Sequence, residues 1–194
     1  MEDKKAEIYR CGKELFSTKG FKDTNISDIT KMAGVAVGTF YNYYPSKDHL
    51  FMEIYVEENE QLKRKLMESV DPDEEPVKFI KKFLALNFEG MSSNPILKEW
   101  YNRDLFSKLE KDFYEQDGFK SISEFMNRAT IELIKKWKVE GKLRDDLDND
   151  LVLAILNSIF YIDFHKKDIG IQHFPHLIDY IVEFVMKGLS SCLK

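Results

Sequence analysis

Apolar positions recur at three- and four-residue intervals along almost the whole chain, and no stretch sustains the alternation of a β-strand. The pattern predicts an all-α protein of about nine helices. The first runs from about Lys4 to Lys19, places Ile8, Cys11, Leu15 and Phe16 on one face, and is closed by Gly20. The second begins after Asn25, an N-cap residue followed three positions later by Asp28, and breaks at Gly34. A short third helix covers Val37 to Tyr43. Pro45 and Ser46 end it, and Ser46 caps a fourth from Lys47 to about Ser69. The polar, proline-bounded SVDPDEEP, Ser69 to Pro76, reads as a connector. Five more helices follow at roughly 76–91, 95–115, 118–140, 147–166 and 174–192.

The third helix poses a problem of placement. Four of the five residues from Phe40 to Tyr44 are aromatic, and so short a helix cannot bury all four on one face. At about 100° per residue, Phe40 and Tyr44 share a side and belong inside. Gly38, Thr39 and Asn42 point away, flanked by Tyr41 and Tyr43. Small residues allow a second body to come close, and tyrosine hydroxyls donate to phosphate oxygens. Two helices joined by a short glycine turn, the second exposing small polar residues, have the form of a helix-turn-helix, whose second helix enters the DNA major groove. The same pattern also fits a plain three-helix unit with a solvated outer face.

Charge adds little to that choice. The net charge is −5, and residues 1–50 carry eight basic and seven acidic residues against 21 and 27 in the remainder. Only the N-terminal piece leans positive, and only slightly. The 43% apolar content suffices for a sizeable core, and 13% of residues are aromatic. Cys11 and Cys192 form neither a disulfide framework nor a metal knuckle, which fits a reducing compartment. MEDKKAEIYR lacks the apolar run of a signal peptide, and the nearly apolar Leu151–Phe164 is too short to span a bilayer. A cytoplasmic protein with no membrane association is expected.

The segment IYRCGKELFSTKGFKDTNISDITKMAGVAVGTFYNYYPSKDHLF, residues 8–51, resembles the N-terminal domain of the TetR family of transcriptional regulators. The likeness is carried at fixed spacing by Leu15-Phe16, Gly20-Phe21, Ile26, Asp28-Ile29, Ala33-Gly34-Val35, Gly38-Thr39-Phe40-Tyr41, Tyr43-Tyr44, Ser46-Lys47 and Leu50. It implies a DNA-binding domain over residues 1–46 and a helical effector-binding and dimerisation domain over 47–194. By position, Val37, Gly38 and Thr39 would face base edges, while Tyr41, Tyr43 and Lys47, with Ser27 from the preceding helix, would grip phosphates. The helical wheel instead puts Val37 near the buried side. Three residues depart from the family pattern: Ala36 removes a side-chain cap, Thr30 stands at a helix–helix contact, and the hydroxyl of Tyr44 needs a partner or an exit to water. The base-facing residues lack Arg, Gln and Lys, so readout would lean on methyl contacts and DNA shape.

Beyond residue 47 the resemblance is one of layout. Candidate effector-site residues are Phe83, Asn87, Trp100, Tyr101, Arg103, Phe106, Phe125, Asn127, Asn157, Phe160, Tyr161 and Asp163, each of which would serve equally as ordinary core. The aromatic supply points to a lipophilic effector, and Asp163, on the apolar side of its helix, to a partner that is either an internal cation, such as Arg103, or a cationic group on the effector. The helix over 147–166 is apolar nearly all round and that over 174–192 has a wide apolar arc, so a homodimer is expected through Ala154, Ser158, Ile178, Ile181, Val185 and Leu189. His165, His173 and His176 fall in a Gly- and Pro-containing loop, and neither a metal site nor a cofactor is expected. No phosphate loop, nucleophile elbow or HExxH occurs, and the chain does not read as an enzyme. The expected function is a sequence-specific regulator, a repressor released from a palindromic operator by the effector. The alternatives are a DNA-binding structural or cell-organisation protein, or a helical enzyme or carrier.

Overall fold

The computed structural model describes residues 3–102, 104–105, 109, 117–174 and 176–190, without the side chains of 117–123, 163, 164 and 167. Among these residues it contains helices and turns and no strand. We number the helices α1 (Lys4–Asp23), α2 (Ile26–Met32), α3 (Val37–Tyr41), α4 (Lys47–Ser69), α5 (Pro76–Ser93), α6 (Asp117–Val139), α7 (Asn149–Phe164), α8 (Lys166–Ile169) and α9 (His176–Ser190). Leu97–Tyr101 and Ile171–His173 are short 3₁₀ turns. The first of these occupies the start of the helix expected over 95–115, where Asn94 Oδ1 accepts from the amides of Ile96 (2.8 Å) and Leu97 (3.2 Å). The segment expected as a plain loop between α7 and α9 holds α8 and a 3₁₀ turn separated by Gly170, at φ 120°.

The local signals act where the sequence puts them. Gly20 sits inside α1 at φ 82°, ψ 166°, so the regular helix stops there and Phe21–Asp23 form a further turn beyond a kink. Asn25 Oδ1 accepts from the Asp28 amide at 2.8 Å and caps α2. Gly34, at φ 65°, follows the α2 C-cap in a left-handed conformation that a β-carbon disfavours. Ala36 precedes α3 with no side-chain cap, as its methyl group dictates.

The chain forms two compact units. One comprises residues 1–62 and 89–122, the other 63–88 and 123–194. In the first, Ile8, Cys11, Phe16, Phe21, Ile29, Phe40 and Tyr44 from α1–α3 and their flanks close on Leu50, Phe51 and Ile54 of α4. Phe51 meets Phe16 and Phe21 edge-on, with ring centres 5.2 and 4.8 Å apart. Gly12 allows α1 and α4 to approach, because a β-carbon there would lie 2.7 Å from Leu50 Cδ2. In the second unit, Trp137 is fully buried, edge-on to Phe79 at 5.4 Å, and Val152, Leu156, Ile159, Val182 and Met186 continue the core.

Candidate nucleic-acid interface

Helices α2 and α3 are joined by the tight turn Ala33–Ala36. The Ala33 amide donates to Ile29 O at 2.9 Å, and the Val35 amide donates to Thr30 O at 3.0 Å. Buried Thr30 satisfies its hydroxyl within the same helix by donating to Ser27 O at 3.2 Å, so the polar atom is accommodated at a packed contact. On α3 the inward side carries Phe40 and, one turn on, Tyr44, at 0% and 2% exposure. The Tyr44 hydroxyl donates to Glu53 Oε1 at 3.3 Å, and Lys5 pairs with that carboxylate at 3.0 Å. Burial and the Glu53 charge push the Tyr44 phenol above its ordinary range, so it stays a donor.

The outward side carries Val37, Gly38, Tyr41 and Tyr43, all exposed, with half-buried Thr39 between them. Val37 is 45% exposed and so is not on the buried side where the helical wheel puts it. Position 37 begins a five-residue helix, where wheel angles carry least weight. Ser27 of α2 is also exposed. Neither Tyr41 nor Tyr43 has its hydroxyl bonded to another described residue. Gly38 differs from Gly12 in kind. Its φ is not positive, and a β-carbon there would meet no atom within 4 Å, so neither backbone strain nor internal packing calls for glycine.

Lys47 sits differently. Its ammonium donates to Phe21 O and Thr24 O, both at 2.7 Å, and lies 4.2 Å from the centre of the Phe21 ring. It thus ties the C-terminal end of α1 to the start of α4, in the place where the resemblance assigns a phosphate contact.

The family model for bacterial regulatory proteins of the tetR family matches residues 8–54. Residues 8–54 are thus a TetR-type DNA-binding domain, and the chain is a DNA-binding transcriptional regulator. Over 156 residues it is 20% identical to the HTH-type transcriptional repressor KstR2 of Mycolicibacterium smegmatis, covering 80% of this chain and 75% of that one. Its fold matches two solved TetR-type structures. One is FadR from Bacillus subtilis in complex with stearoyl-CoA, at 15% identity, 95% and 99% coverage and TM-score 0.64. The other is Thermus thermophilus FadR in complex with lauroyl-CoA, at 20% identity, 97% and 95% coverage and TM-score 0.63.

The effector-site candidates divide between the two units. Trp100 and Tyr101 belong to the first, where Trp100 joins Phe51, Met52, Tyr55, Glu99, Leu105 and Leu109 around a small apolar depression. Phe83, Asn87, Phe125, Asn127, Asn157, Phe160 and Tyr161 belong to the second. There Phe83 and Phe160 meet edge-on at 6.2 Å, and Asn157 Nδ2 donates to Asn127 Oδ1 at 3.3 Å. Tyr161 is 58% exposed and points away from that core. Arg103, Phe106 and the side chain of Asp163 lie outside the described residues.

Of the dimer candidates, Ala154 and Ser158 are exposed on α7, and Ile181 and Val185 are half-buried on α9. Ile178 and Leu189 are 6% and 4% exposed and pack inside their own chain. The outer face of α9 is carried instead by Tyr180 and Phe184, 58% and 70% exposed and stacked at 6.1 Å.

The inward placement of Lys63 was not legible in the sequence. In EENEQLKRKLMES Lys63 reads as one more charge on a solvated helix face. In the structure its ammonium donates to the Asn87 side-chain carbonyl and lies 5.6 Å from the centre of the Phe160 ring. Among the described residues no group of three or more His, Cys, Asp or Glu side chains is arranged to hold a metal, and no helix is long and apolar enough to cross a membrane.

Proposed function

We propose that the protein is a cytoplasmic, non-enzymatic homodimeric repressor. It reads a palindromic operator through residues 1–46 and releases it when a lipophilic effector binds within residues 47–194. The observation that carries the DNA-reading part is Gly38. It is a glycine that the fold does not need, on an exposed face with Val37, Tyr41 and Tyr43. Val37, Gly38 and Thr39 read base edges, and Tyr41, Tyr43, Lys47 and Ser27 hold phosphates.

The dimer forms through the outer faces of α7 and α9, which are neighbours in the second unit. Leu151, Ala154, Ser158 and Tyr161 on one helix and Tyr180 and Phe184 on the other leave a broad apolar surface uncovered by the chain itself. Two copies related by a two-fold axis cover it as a four-helix arrangement. The effector has a long aliphatic or aromatic body. The apolar character of the candidate linings supports this, as do the acyl-CoA molecules bound by the two FadR proteins of the same fold.

Selection of genomic fragments by the purified full-length protein tests the reading. An inverted repeat with half-site centres on one DNA face is the expected result, and long-chain acyl compounds should release the fragment. Binding at many dispersed sites without inverted symmetry, or no binding at all, would replace it with a structural or non-DNA role.

A further inference from the structure

Lys63 is the one side chain of α4 whose cation the second unit draws among buried groups while giving it no countercharge among the described residues. Asn87, its hydrogen-bond partner, is 4% exposed, and Phe83, edge-on to the Phe160 ring beside the amine, is 7% exposed. Lys63 as a whole is half-buried, yet its nitrogen lies at the inner end of the side chain. No described carboxylate pairs with it, whereas Lys81 and Lys136 of the same unit each have an acidic partner. Burial alone pushes its pKa down to about 8, the direction expected for an ammonium that has lost water and gained no anion.

A structural role does not call for this arrangement. A neutral residue donating to Asn87 would satisfy the same carbonyl without the cost of burying a charge. An ammonium held between one phenylalanine ring and one amide is instead suited to a ligand that brings its own negative oxygen on an apolar body. The lone amide carbonyl holds the amine in place until then, and the anion replaces the water the amine has lost.

We propose that Lys63 and Asn87, with Phe83 and Phe160, receive the carboxylate end of a long-chain aliphatic effector. This rests on the effector reading given above and departs from the cationic group that Asp163 left open: the head group is anionic. Lys63 lies on α4, the helix whose first half is built into the core that holds α1–α3.

The test is titration calorimetry on the full-length protein with three twelve-carbon probes of differing head: dodecanoate, dodecan-1-ol and dodecyltrimethylammonium. Wild type should bind dodecanoate at least about tenfold more tightly than the alcohol, as a charge-assisted contact in a desolvated site implies. Lys63→Met should retain the alcohol and lose the carboxylate preference. Asn87→Asp supplies a fixed carboxylate beside the amine, and should abolish the preference for dodecanoate over the alcohol. Equal binding of all three probes to wild type would overturn the assignment of Lys63 while leaving a lipophilic effector intact. So would a carboxylate preference unchanged in both variants, or a preference for the ammonium. Failure of every probe to bind wild type would overturn the lipophilic effector and this site together.

Discussion

Lys47 donates its ammonium proton to the carbonyl oxygen of Phe21 at 2.7 Å, across 26 positions of sequence, and lies over the Phe21 ring. A residue assigned by resemblance to DNA is thereby also a brace within the reading domain. Lys47→Ala removes two hydrogen bonds from a half-buried cation and exposes the Phe21 and Thr24 carbonyls to whatever water can reach them. We expect a loss of about 1–3 kcal/mol in unfolding free energy, read from urea midpoints. On folded protein, DNA affinity should fall similarly for all sequences, and the salt slope should shrink by about one. An unchanged slope with lowered stability would leave Lys47 a brace and take it off the phosphate contacts.

Gly38 separates folding from binding more cleanly. A β-carbon at this position meets nothing within 4 Å and requires no change of backbone. Alanine is the better helix former, so Gly38→Ala should leave stability unchanged or raise it by up to about 1 kcal/mol. A DNA base edge approaching that face would meet the added methyl, and affinity should drop by about tenfold or more. Thr39→Ala, beside it, should shift the selected bases. Full DNA affinity in Gly38→Ala would remove α3 from the groove.

What the sequence made legible was mostly local. Asn25, Gly34 and Ser46 act through neighbours a few residues away and set the ends of α2 and the start of α4, whereas α3 stops at Tyr41, short of the Tyr43 expected from Pro45. The sorting of Phe40 and Tyr44 from Tyr41 and Tyr43 needed only the helical period. The failures of detail are long-range. The carbonyl partners of Lys47 come from the far side of a three-helix turn, and no periodicity announces them. Ile178 and Leu189 share a wide apolar arc with Ile181 and Val185, and a wheel cannot say which part of such an arc faces the chain's own core. Lys63 lies among Glu, Gln, Lys and Arg, so its solvated neighbours mask a side chain drawn inward by Asn87, 24 positions on.

The outer face of α9 makes its own prediction. Phe184 is 70% exposed and among the described residues stacks only on Tyr180 of its own helix, so little in the described part of the chain depends on it. Phe184→Asp should leave the helical content intact and convert a dimer at micromolar concentration into a monomer, measured by light scattering. A buried charge at a two-fold contact meets its own copy or nothing, and either costs several kcal/mol of association. DNA affinity should fall with dimerisation, since each head alone contacts one half-site. A variant that remained fully dimeric would place the interface elsewhere.

The last prediction concerns pH. The Lys63 ammonium, at about 8 in the folded protein against 10.5 for an unperturbed lysine, loses its proton on folding anywhere between those values. Over that window the unfolded chain binds more protons than the folded one, so stability rises with pH; below 8 the full penalty of the buried charge is present, and above 10.5 nothing further is gained. The tyrosines work against this at the upper end. Burial raises the phenols of Tyr9, Tyr44 and Tyr55 above their ordinary 10.0, and their contribution is complete below that pH and lost as the unfolded phenols ionise above it. The rise attributable to Lys63 is therefore visible between pH 8 and about 9.5, where it should amount to about 1–2 kcal/mol in unfolding free energy. Lys63→Met should abolish it while leaving the decline above pH 10, because the tyrosines are untouched. Saturating dodecanoate should also flatten it, since a bound carboxylate restores the ammonium's preference for its proton. Parallel wild-type and Lys63→Met curves from pH 8 to 9.5 would show that the amine keeps its proton on folding and that its surroundings are wetter than the contacts with Asn87 and Phe160 imply.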